Sequence, residues 1–292
     1  MKILVTGGSG FLGSHVADAL TEADHEVLIY DNRPSPYLRK GQKSLIGDIL
    51  NEETLVEATK KVNIVFHLAA MANIDAAWNN PVETIRTNVI GTTNVLEACR
   101  INKVPRFIFA SSLYADSTAG HLYGVSKSAG ENLCKVYNGV CNIQHTILRF
   151  GTLYGTRSTE ANSIHRLLKQ ALAGKIDYYG TGREIREYIH VRDAAQICTY
   201  IDQFKSDTLI ITGHNRIKLS DLLNMINEIL DKKVEVNYHP KENKSHYEQT
   251  PYSYISTIPK RVVPNLSSDL GESLVEVLKE IDNDPKSKTD RP

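Results

Sequence analysis

The chain has 292 residues, 41% of them hydrophobic and 23% charged, enough to bury a core in one large domain or two closely coupled ones and to exclude a disordered tail or a disulfide mini-protein. Lys plus Arg number 34 against 34 for Asp plus Glu, so no basic field exists to hold nucleic acid or an anionic membrane, and no apolar run reaches the length of a membrane span. A soluble cytoplasmic protein is expected: Cys99, Cys134, Cys141 and Cys198 form no CxxC pair, and the opening residues run straight into glycines, too short for a signal peptide.

In the first half, Ile3 to Val5, Val27 to Tyr30, Ile64 to His67, Arg106 to Ala110 and Ile143 to Leu148 read as strands buried on both faces. Helices fit between them over 11–23, over 81–101 behind Pro81, and from Tyr123 to about Asn138. The alternation predicts an α/β fold with a Rossmann-type, doubly wound parallel sheet over 1–150. Beyond it the rhythm loosens into helices near 160–173, 191–203, 219–230 and 267–281 and strands at 176–179 and 207–211, read as a smaller C-terminal α/β substrate lobe over 151–282. Residues 239–265 read as an extended arm, and 283–292 as a frayed tail.

Thr6-Gly7-Gly8-Ser9-Gly10-Phe11-Leu12-Gly13 follows a predicted strand and opens a predicted helix, the context in which such glycines allow a tight turn and close approach of a pyrophosphate to the helix N-terminus. Asp31 lies 18 residues beyond Gly13, where a carboxylate accepts ribose hydroxyls and repels a 2′-phosphate, favouring NAD over NADP. Arg33 could instead host that phosphate, and Asp48 could either hold the adenine amino group or cap a helix. A second constellation is Ser111-Ser112 at a strand end followed by Tyr123 and Lys127, four apart on one helix face, where the ammonium can lower the phenol pKa towards that of a usable base.

With both motifs in this order, the sequence resembles the extended short-chain dehydrogenase/reductases, the nucleotide-sugar epimerase/dehydratase family. The likeness includes Gly47-Asp48-Ile49, His67-Leu68-Ala69-Ala70, Asn88 to Thr92 and the stretch Arg183 to Val191. It implies NAD held by Gly7, Gly10, Phe11, Leu12, Asp31, Asp48, Ile49, Leu68, Ala69, Ala70, Tyr123 and Lys127. Ser112, Tyr123 and Lys127 would be catalytic, with Ser112, Tyr123 and Arg186 meeting a nucleotide-diphosphate sugar. The implied activity is 4-epimerisation through a transient 4-ketone; a 4,6-dehydratase, a 4-dehydrogenase and a non-catalytic nucleotide-sugar binder are the alternatives. For Arg186 alone, a surface ion pair with Glu184 or Glu187 competes. The resemblance also implies a homodimer through the helices at 81–101 and 123–138, with Gly124, Ser128 and Ala129 either permitting close approach there or packing their helix on its own sheet.

Three departures bear on the reaction. Only ten residues separate Ser112 from Tyr123, where relatives carry a longer loop. Gly151 stands where many relatives have a substrate-binding Asn, and Leu113-Tyr114 replaces the Asp-Glu pair of 4,6-dehydratases. No HxH or HExxH spacing accompanies the ten histidines, which argues against a metal; His121 and His190 read as packing or capping residues. No GxSxG elbow supports acyl transfer, and Tyr247, Tyr252 and Tyr254, interleaved with Lys244 and Pro251, read as arm packing rather than RNA stacking.

Overall fold

Short runs of β-branched and aromatic residues bounded by helices become the strands of one sheet because both of their faces can be covered. The computed structural model describes residues 1–117, 119–200, 203–214, 216–239, 246, 248, 260–264 and 268–284. The first half runs β1 (Lys2–Thr6), α1 (Phe11–Glu22), β2 (Glu26–Asp31), β3 (Gln42–Ile46), α2 (Glu52–Ala58), β4 (Ile64–His67) and α3 (Ile74–Asn79). A continuous helix follows, made of α4 (Pro81–Ile85), a π-helical segment Arg86–Ile90 and α5 (Gly91–Ile101). Next come β5 (Arg106–Ser112), a 3-10 turn Leu113–Asp116, α6 (His121–Cys141) and β6 (Gln144–Phe150). The second half contains β7 (Thr152–Tyr154), α7 (Ser163–Leu172), β8 (Lys175–Tyr179), β9 (Ile185–His190), α8 (Val191–Cys198) and β10 (Asp207–Ile211). It ends with β11 (Arg216–Lys218), α9 (Leu219–Leu230), β12 (Glu235–His239), β13 (Lys260–Val262) and α10 (Leu270–Asn283).

The central sheet has the order β13-β10-β6-β5-β4-β1-β2-β3 and all its pairs are parallel, so the Rossmann-type doubly wound expectation holds. Alternate residues of each strand feed opposite cores. Ile3, Val5, Ile29 and Phe66 pack with Val16 and Leu20 of α1 and Ala194 and Ile197 of α8. Leu4, Val65, Phe107 and Phe109 pack with Leu55 of α2, Leu96 of α5 and Cys134 of α6. The chain leaves β1 for β2 and β3 on one side and returns to β4 on the other, so a crevice opens at the carboxyl ends of β1 and β4. A separate core of Leu168, Ile176, Leu222, Leu223, Leu274 and Val277 unites α7, α9 and α10 across that crevice.

Three local expectations change. The strand 207–211, read from sequence as part of the smaller lobe, pairs with β6 in the central sheet, and β13 from within the supposed arm adds beyond it. Leu209 and Ile211 are wholly buried there, because the sheet needs further apolar strands to cover its β6 edge. The helix expected over 81–101 contains the π-helical segment, and α3 precedes it unforeseen. Asn88 in that segment accepts from Met71 N (2.8 Å) and donates to Met71 O (3.0 Å) and Ser126 Oγ (2.9 Å), so it joins the loop after β4 to α6. Of the two readings of Gly124, packing within its own chain is the one seen: a Cβ there would sit 2.7 Å from Tyr114 O. Tyr247, Tyr252, Tyr254, Lys244, Pro251 and 285–292 of the expected tail lie outside the described residues.

Candidate active site

A cleft of about 1940 Å³ lies over the carboxyl ends of the central strands, walled on its far side by α7, β8 and β9. Every residue singled out from sequence for cofactor, catalysis or substrate lines it.

At one end the loop after β1 comes within contact of the loop after β4. Gly7 has φ +71°, and a Cβ on it would lie 2.6 Å from Ala69 N; a Cβ on Gly13 would lie 2.1 Å from Gly7 O. Only glycine permits this closeness, which brings the start of α1 to the cleft floor beside Leu68, Ala69 and Ala70. No side chain caps α1 at Gly10, so its first N–H groups and the positive end of its dipole face the cleft among Gly10, Phe11 and Leu12. The Asp31 carboxylate is aimed by backbone donors, Ser9 N at 2.9 Å and Arg33 N at 3.2 Å. An uncapped helix start for a pyrophosphate and a fixed carboxylate for ribose hydroxyls fit a dinucleotide. Asp48 and Ile49 line the same end. Asp48 Oδ1 accepts from Leu50 N at 2.9 Å, while the cap of α2 is Asn51, which accepts from Thr54 N at 3.1 Å, so the helix-cap alternative for Asp48 is corrected.

The catalytic candidates meet in the middle of the cleft. Ser112 ends β5, and Tyr123 and Lys127 stand one turn apart near the start of α6. Lys127 Nζ donates to Ala110 O at 2.9 Å and lies 5.8 Å from the Tyr123 ring centroid. Burial pushes the phenol up to about 12, against a hydrogen bond from Ser112 that favours the phenolate, and burial holds Lys127 down to about 8. Against the sequence expectation of a lowered phenol, burial raises it and the Ser112 hydrogen bond offsets that only in part. Beneath them Glu131, one turn past Lys127, accepts from Ser111 Oγ (2.6 Å) and from Arg149 Nε (2.8 Å) and its Nη2 atom (2.7 Å), and Arg149 Nη1 donates to Asp116 Oδ2 at 3.0 Å.

The far end is built from the second half of the chain. Arg186 donates to Ile185 O (3.1 Å) and Glu248 O (3.2 Å), while Glu187 is held by Arg261 (3.2 Å) and Arg216 (3.8 Å). Gly151 donates to Ile211 O at 2.9 Å, and a Cβ there would press on Thr212 Cγ2 at 3.0 Å; Thr152 beside it lines the cleft. Sequence reasoning missed Thr152, Asn162, Arg166 and Tyr178 as lining residues. Asn162 caps α7, accepting from Ile164 N at 2.9 Å, and a cap four residues before Arg166 was the one available signal. Among the described residues no group of His, Cys, Asp and Glu could hold a metal ion. His190 is buried against Tyr154, ring centroids 5.2 Å apart, and His121 packs edge-on to Trp78 at 5.0 Å.

Comparison with known proteins agrees with this geometry. The model of the NAD dependent epimerase/dehydratase family matches residues 3–209. An uncharacterized UDP-glucose epimerase of Bacillus subtilis, YtcB, is 30% identical over 82% of this chain and 86% of its own. A UDP-N-acetyl-alpha-D-glucosaminuronate decarboxylase of Bacillus cytotoxicus is 27% identical over 97% and 99%. The structure of UDP-glucuronic acid 4-epimerase from Bacillus cereus, in complex with UDP-glucuronic acid and NAD, superposes with a TM-score of 0.81 at 26% identity, covering 96% of this chain and 98% of that one. The chain belongs to the NAD-dependent epimerase/dehydratase family of extended short-chain dehydrogenase/reductases.

Proposed function

We propose that this protein is an NAD-dependent nucleotide-sugar 4-epimerase in which Tyr123 exchanges the proton of the sugar 4′-hydroxyl. The observation that carries the reading is the convergence of Ser112, Tyr123 and Lys127 between a dinucleotide end and an arginine-bearing end of a single cleft. Gly7, Gly10, Phe11, Leu12, Asp31, Asp48, Ile49, Leu68, Ala69 and Ala70 hold NAD, which when bound takes up the C4 hydride and gives it back. Arg186, with Arg166 on the same wall, meets the diphosphate as planar donors. Ser112 shares the 4′-hydroxyl proton with Tyr123, and the Lys127 ammonium offsets the charge on the phenolate. The phenolate accepts the proton as the sugar is oxidised to a 4-ketone; the ketone turns over and the phenol returns the proton as C4 is reduced on its other face.

Elimination of water is disfavoured because Leu113 is buried and apolar and the Asp116 carboxylate is engaged by Arg149. Incubation with UDP-glucose, UDP-glucuronic acid and their N-acetylated relatives in deuterated water tests the reading. An isomer of unchanged elemental composition is expected; a product lighter by one water or by carbon dioxide overturns it in favour of dehydration or decarboxylation.

The same reading includes a cytoplasmic homodimer. Val82 (78% exposed), Val140 (80%), Val125 and Ile90 leave an apolar surface on α4, the π-helical segment and α6, which a second copy would cover. Among the described residues no helix is long and apolar enough to cross a membrane, and Cys99, Cys134, Cys141 and Cys198 are unpaired, as a reducing compartment favours.

A further inference from the structure

The turn Leu113–Asp116 is built around one side chain. Ser112 Oγ accepts from Tyr114 N at 3.3 Å and so opens the turn. Gly120, at φ +84°, leaves the seat for the ring: a Cβ there would lie 2.6 Å from Tyr114 Cδ1. At the other end of the turn, Asp116 is tied through Arg149 to Glu131 on α6. Because α6 also carries Tyr123, the turn is tied to the helix that bears the catalytic phenol. The Tyr114 ring stands edge-on to Tyr123, centroids 6.4 Å apart at 68°, and both line the cleft. Its hydroxyl lies 3.0 Å from His246 Nδ1.

This inference rests on the 4-epimerase reading, in which the ketone formed beside Tyr123 must turn over without escaping. We propose that Tyr114 is the specificity-determining residue that keeps it there, the ring acting as a fixed wall in place of the longer loop. Each escape would leave C4 oxidised in the released sugar, its hydride on the cofactor as NADH and its hydroxyl proton on Tyr123, so the protein would stop after one half-reaction. Loss of the wall therefore moves the outcome from epimer towards released ketone.

The test uses the full chain with bound NAD and UDP-glucose, with hydroxylamine in the medium to capture released ketone as an oxime counted by mass spectrometry, alongside NADH fluorescence. Tyr114→Ala is expected to raise the oxime-to-epimer ratio about tenfold, whereas Tyr114→Phe, which keeps the ring, stays within about twofold of wild type. An Ala variant that epimerises without added oxime, or a Phe variant that leaks as much as Ala, overturns the proposal. If circular dichroism shows Tyr114→Ala unfolded, Asp116→Ala decides: it cuts the tie to Arg149 and is expected to leak about threefold more than wild type, and an unchanged ratio overturns the wall. A wild type that forms neither epimer nor NADH from any nucleotide-sugar is a different result and removes the epimerase reading itself.

Discussion

Replacing Arg149 by methionine strands Glu131. The Glu131 side chain is 3% exposed and that of Arg149 11%, and their two contacts are 2.8 and 2.7 Å, leaving only the Ser111 hydroxyl, at 2.6 Å, once the guanidinium is gone. Methionine keeps the apolar stem and most of the volume, so the loss is electrostatic rather than a cavity. Removing one partner of a buried pair costs about 3–5 kcal/mol, a large share of the stability of a domain. A second change, Glu131→Gln in the same chain, removes the stranded charge and is expected to recover at least about half of that loss. Urea titrations of wild type, both single variants and the double variant measure it, with the slope checked for constancy. A single variant that loses less than about 1 kcal/mol, or a double variant no more stable than Arg149→Met, would show that Glu131 is rehydrated or neutral, and the tie between β6 and α6 would not be an ion pair.

Asp31→Ala is expected to bring NAD and NADP affinities to within about tenfold of each other, read by cofactor titration; a wild type that already prefers NADP would mean that Arg33 governs the ribose end. With Lys127 held down to about 8 and Tyr123 up to about 12, the pair gives up its first proton near pH 8, so the rate of sugar oxidation should climb with pH up to that point and level above it. Lys127→Met should carry the climb towards the phenol's own, higher value, and an identical profile in the variant would show that the two side chains titrate apart. Val140→Glu places a charge on the apolar face of α6 and should turn a sedimenting dimer into a monomer of 32.6 kDa; wild type sedimenting as a monomer removes the dimer reading.

The half of the site carried by the Rossmann strands was legible because each of its parts is local. A glycine turn, an acid at the end of β2 and a Tyr–Lys pair on one helix face are set by spacing along the chain, and the strands that deliver them are buried on both faces and read as apolar runs. The arginine-bearing wall was legible only at Arg186. Arg166 and Tyr178 reach the cleft because α7 and β8 fold across it, which no spacing encodes, and Thr152 of β7 lines it beside Gly151. The strand 207–211 has the same short apolar pattern whether it belongs to a lobe or to the central sheet, and only its partner β6 decides. The phenol's upward shift was not legible for a related reason: the lysine four residues on is visible in the sequence, whereas the burial that raises the phenol is not.

Transient oxidation at C4 is tested most directly with a nucleotide-sugar bearing deuterium on C4. Tyr123 handles only the hydroxyl proton, and the hydride that leaves C4 returns to C4, so the epimer should keep its deuterium there in full, and Tyr123→Phe should form none of it while still binding NAD. Deuterium lost to solvent, or found on C6, would contradict the account, because the first requires a carbanion and the second an elimination in which the hydride returns elsewhere.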